Sequence, residues 1–133
     1  MNAIKKISVK MAANIILALL LCVLVFHILV LAGIIPFNIV WGGRLESMSQ
    51  MYVFEMVSLI INLIIMSVVG MKAGYIKAHL NKKVVNAILW FLVVLFLLNT
   101  VGNVVSLSAL EAIIFTPLTL ISALLFYRMA IEE

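Results

Sequence analysis

"AANIILALLLCVLVFHILVLAGII", Ala12 to Ile35, is an apolar run of 24 residues in which Asn14 and His27 are the only strongly polar side chains. A helix needs about 20 mostly apolar residues to cross the hydrocarbon core of a bilayer, so this run is long enough to span. The basic "MNAIKKISVK" before it resembles the start of a secretory signal, but a signal core is only about 7–15 residues long and no A-x-A site follows. Leu21 stands before Cys22 where a lipoprotein cleavage box requires a small residue. The run reads as a retained first helix.

Three more stretches meet the same length criterion: Met48 to Val69, Val84 to Val105 and Ala109 to Met129. Hydrophobic residues make up 67% of the 133 and the mean hydropathy is +1.35, more than a soluble core of this size needs. One transmembrane domain, residues 1–133, is therefore expected, with an outer loop over 36–47 and a basic link over 70–83. No stretch is left for a soluble catalytic domain.

Basic residues orient the helices. Lys5, Lys6 and Lys10 precede the first span, and Lys72, Lys77, Lys82 and Lys83 fill the link between the second and third. The other two links carry only Arg44. Positive charge stays on the cytoplasmic side, which places both termini there, with Arg128 closing the fourth helix on the same side. The expected fold is an all-α integral membrane protein of the cell (inner) membrane, an up-down-up-down four-helix bundle. The net charge of +4 follows from this topology and calls for no nucleic acid. Its expected surroundings are the lipid bilayer, with anionic headgroups near the lysines.

The polar residues inside the spans carry the functional reading, because an ionisable group there costs a few kcal/mol or more and needs a partner or a purpose. Glu55, Ser58 and Asn62 fall at i, i+3 and i+7 on one helical face, surrounded by apolar neighbours. The box "SMSQ" starts that helix near Met48, which puts Glu55 about 10 Å further along, too deep for a capping role. Its carboxylate belongs either to a structural network or to a binding or proton-handling site. His27 lies about 13 Å below the Pro36 end of its helix, at a similar depth. A neutral, hydrogen-bonded imidazole is the plain reading, and proton exchange is the sharper one.

Asn99, Gly102, Asn103 and Ser106 share a face of the third helix, where amides commonly join helices and Gly102 would admit a close neighbour. Glu111 closes "SALE", a capping box begun by Ser108, which gives it a structural explanation. Pro117 should kink the fourth helix, with Thr116 or Thr119 satisfying the freed carbonyl. In the outer loop, Trp41 suits the interface, and Arg44 could fold over the bundle mouth to pair with Glu55 or Glu111, or stay with Glu46. The expected ligand-binding set is thus Glu55, His27, Arg44, Asn99, Asn103, Glu111, Trp41, Ser58 and Asn62.

Other chemistry is poorly supported. No HxxxH, HExxH or ExxH spacing points to a metal, and haem would need a second intramembrane histidine. No cofactor is implied. The chain has no aspartate for a Ser-His-Asp triad, and its single cysteine can form no CxxC pair. Whether the protein is an enzyme is left open.

"IVWGGR" followed by "YVFE", with "NTVGN" in the third helix, resembles a group of small four-helix bacterial membrane proteins, a likeness that implies the layout and no activity. The layout is also similar to that of the sterol-isomerase and sigma-2 receptor group, with acidic residues in an intramembrane pocket, although no motif of that group is matched. The residues suggest a polar site in the extracellular half that takes a small amphipathic molecule or lipid headgroup. The alternatives are an accessory subunit of a larger membrane complex and a small proton-coupled transporter, the latter as a homo-oligomer.

Overall fold

A computed structural model describes residues 2–39, 45–77 and 79–132. The described residues form a short α1 (Asn2–Lys5) and then α2 (Val9–Leu31), α3 (Met48–Ala73) and α4 (Lys82–Val104). A single π-helical turn, Glu111–Phe115, leads into α5 (Thr116–Ala130). Four of these helices are long and apolar enough to cross a membrane: α2, α3, α4 and Glu111–Ala130.

Caps explain where the helices begin and end. Ser8 Oγ accepts from Met11 N at 3.0 Å, so α2 starts three residues before the apolar run. It stops at Leu31, not at Pro36 as the proline suggested. Gly33 takes φ +80°, and Gly33 N and Ile34 N donate to the carbonyls of Val30 and Leu29, each at 3.0 Å, closing a Schellman motif. Gly74, at φ +82°, ends α3 the same way, one turn beyond the expected Val69. At the start of α3, Ser47 Oγ accepts from Gln50 N, and Gln50 Oε1 accepts in return from Glu46 N. Asn81 Oδ1 caps α4 through Val84 N.

The expected capping box at Ser108 is not formed. Ser108 Oγ is buried with no hydrogen-bond partner among the described residues, and Ser106 Oγ accepts from Ser108 N instead. The capping explanation for Glu111 therefore loses its serine half. In the π turn that follows, Thr116 N–H reaches back to Glu111 O. Pro117 sits at the start of α5, and Thr119 Oγ1 donates to Phe115 O at 2.8 Å rather than to the carbonyl opposite the proline ring.

The main packed cluster joins Ala12, Ala13, Ile16 and Leu20 of α2 to Ile65, Val68 and Val69 of α3. Val85, Leu89, Leu92 and Val93 of α4 and Leu125, Phe126 and Met129 of α5 complete it. Helices in lipid gain little from the hydrophobic effect and associate through such close packing. α5 packs extensively on α4 and on α2, and α2 on α3, whereas α3 and α4 meet along a much shorter seam. A polar clasp closes this end. Arg128 Nε donates to Ile7 O at 2.6 Å, and Lys72 Nζ to Asn86 Oδ1 and Glu132 O, also at 2.6 Å. The beginning of α2 and the end of α5 therefore lie side by side.

At the opposite end a smaller cluster of Val30, Leu45 and Met51, with Phe37 and Ile39 of a short 3-10 turn, packs the flanks of the loop between α2 and α3 onto those helices. Between the two clusters the helices part.

Candidate functional site

The space between the clusters is a cavity of about 590 Å³, to which all four long helices contribute. Its walls are mainly apolar, with Leu19, Val23, Phe26, Ile65, Leu95 and Phe115 among them. Into it project His27 from α2 and Glu55, Ser58 and Asn62 from α3. Asn99 and Asn103 of α4 and Glu111 of the π turn face them. Seven of the nine residues expected at a site thus surround one space. The other two, Trp41 and Arg44, lie outside the described residues.

Glu55 is completely buried. Its Oε2 shares a hydrogen bond with His27 Nδ1, which joins α2 to α3 through two ionisable side chains. The pairing follows from two independent helical phases, since each residue lines the space between the helices. Phe26 packs its ring edgewise against His27, 6.0 Å between centroids, and against Phe115 of the π turn at 5.1 Å. With Nδ1 engaged by the carboxylate, the ring's remaining nitrogen, Nε2, is the one free to address a ligand.

Asn62 lies two turns further along α3 from Glu55. Its Nδ2 donates to Leu20 O at 3.3 Å, while its Oδ1 is buried and has no partner among the described residues. A buried acceptor left in this state costs about 1–3 kcal/mol.

On the facing wall a hydroxyl cluster escaped the sequence reading. Thr119 Oγ1 lies 2.9 Å from Thr100 Oγ1 and accepts from Asn103 Nδ2 at 3.4 Å. Ser122, which also lines the cavity, donates to Leu118 O at 2.8 Å. Glu111, Thr119 and Ser122 recur at helical spacing on one face, a signal the sequence carries beside the role of Thr116 or Thr119 at the proline. The π turn that carries Glu111 is itself a feature frequent at functional sites.

Gly102 also lines the cavity, but a Cβ there would meet nothing within 4 Å. It admits no close neighbour, contrary to expectation; it borders open space. Among the described residues, no three of His, Cys, Asp and Glu assemble as a metal-ligand set.

A hydrogen-bonded carboxylate and imidazole in an apolar chamber can hold a polar group in place or pass a proton along the Glu55–His27 axis. No protein-family model, curated protein or solved structure matches the chain significantly.

Proposed function

We propose that this chain is a single-domain, up-down-up-down four-helix bundle of the cell (inner) membrane, with both termini cytoplasmic, whose outer-half cavity binds a small amphipathic molecule or lipid headgroup. The contact of Arg128 with Ile7 supports the shared side of the two ends, and the lysines clustered there support its being the cytoplasm. The observation that carries the binding reading is the His27–Glu55 pair, set into a largely apolar cavity of about 590 Å³. Ligand sites are commonly about 300–1,000 Å³, mostly apolar, with a few convergent polar groups.

Transport is the weaker reading. Below the cavity, Ile16, Leu89, Leu92, Phe126 and their neighbours form a packed plug, which favours a pocket closed at its inner end over a path through the protein.

The test is native mass spectrometry of the protein released from phosphatidylcholine nanodiscs after incubation with single-chain amphiphiles of varied head. One-to-one adducts are expected with the wild type and strongly reduced adducts with Glu55→Gln. Adducts with none of the amphiphiles, or equal adducts with the variant, would refute the reading.

A further inference from the structure

We infer that the cavity opens sideways into the bilayer between α3 and α4, and that its ligand is a single-chain amphiphile whose head donates hydrogen bonds, an alcohol or an amine. The inference rests on the binding function proposed above and adds the route and the head chemistry.

The route follows from which lining residues are exposed. Ile61, Leu98, Asn99 and Gly102 are the exposed members of the cavity lining, and all four lie on α3 or α4. These two helices share the short seam, and both contribute to the packed cluster at the plug end. Elsewhere their outward faces, including Val57, Ile60, Val94 and Val101, are exposed and apolar, as lipid contact requires. Asn99 is the exception among them, a polar amide at the mouth of the opening, and Gly102 leaves the space beside it unfilled. An amide facing only acyl chains would be unfavourable, whereas a polar head passing or resting there would satisfy it.

The head chemistry follows from the direction of the hydrogen bonds. Several donors in the cavity are taken up within the protein. The Thr119 and Ser122 hydroxyl protons go to the carbonyls of Phe115 and Leu118, and Asn62 and Asn103 each direct an amide proton to a neighbouring helix. Lone pairs remain, above all the buried, unpartnered Asn62 Oδ1. A ligand bringing O–H or N–H groups complements this acceptor, whereas an ionised carboxylate or phosphate head brings no donor to it. An ester head would bring no donor.

The test uses the full-length protein in nanodiscs of phosphatidylcholine, whose headgroup has no hydrogen-bond donor. A dodecanol analogue with a diazirine in mid-chain is photoactivated and its adducts mapped. Labelling is expected at Ile61, Leu98 and the cavity wall, well above that at Val25 and Ile28, exposed residues of α2 away from the seam. Excess dodecanol or dodecylamine should reduce this labelling about tenfold, the effect of one good hydrogen bond to a buried group. Dodecanoate and methyl laurate should leave it nearly unchanged. The stronger of the two effective competitors identifies the head as hydroxyl or amine. Equal competition by all four would overturn the donor requirement while leaving a binding cavity. Labelling spread evenly over α2 and the seam would overturn the lateral route. Native adducts formed with no amphiphile at all would instead remove the binding function beneath both.

Discussion

Replacing Asn62 by leucine should make the empty protein more stable, an unusual sign for a buried polar residue between packed helices. The two side chains have the same number of heavy atoms and the same branching, so the substitution opens no large void. It removes the 3.3 Å bond from Nδ2 to Leu20 O. Interhelical hydrogen bonds in membranes average only about 0.6 kcal/mol, and Leu20 O keeps its place in the α2 hydrogen-bond ladder. It also removes an orphaned buried acceptor, worth about 1–3 kcal/mol. The balance is a stabilisation of about 1 kcal/mol. Equilibrium unfolding of wild type and variant in the same micelle, with unchanged helix content, measures it. If the reasoning is right, the gain comes with weaker adduct formation, as expected where a site is held ready for a ligand at the expense of stability. A destabilisation of about 1 kcal/mol or more would show that the amide is a satisfied structural link, and the chamber's unmet acceptor would be withdrawn.

Ser47→Ala should lower stability by about 1 kcal/mol because its hydroxyl caps α3, whereas Ser108→Ala should change it by less than about 0.5 kcal/mol because its hydroxyl has no partner among the described residues; denaturation of the pair decides this. Gly102→Ala, in the last turn of α4 with open space around it, should stabilise by about 0.5 kcal/mol, and Gly74→Ala, at positive φ, should destabilise by about 1 kcal/mol. A fall in stability for Gly102→Ala would mean that a neighbour does pack there. In a Cys22→Ala background, single cysteines at Lys6 and Glu132 should both react with a membrane-impermeant maleimide only after inside-out vesicles are prepared, which tests the shared cytoplasmic side of the two ends.

The four spans were legible because bilayer thickness converts directly into a run length, and the runs here are nearly free of charge. The inward face of α3 was legible for a similar reason: Glu55, Ser58 and Asn62 repeat at a helical period amid residues that suit lipid. The partnership of Glu55 with His27 was only half visible, as an agreement in depth, since sequence gives distance along a helix but not its rotation. The end of α2 was misplaced because Pro36 is the louder stop, yet a glycine in the left-handed conformation can terminate a helix before a proline does. Thr119 was passed over because hydroxyls often serve their own helix, and its links to Thr100 and Asn103 exist only once α4 and α5 are packed. The gap between α3 and α4 had no local signal at all, as it arises from which pairs of apolar faces fit, a property of several helices together.

The central claim is that His27 and Glu55 face a chamber a ligand can reach. Solid-state NMR of the His79→Gln protein, with ¹⁵N-histidine in phosphatidylcholine bilayers, leaves His27 as the single reporter in the described structure. On titration with 1-monolauroylglycerol its Nε2 resonance should shift to saturation, and the shift should vanish in Glu55→Gln. A resonance that stays fixed through the titration, in a protein that native mass spectrometry shows to carry the same amphiphile, would place that ligand elsewhere and contradict the claim.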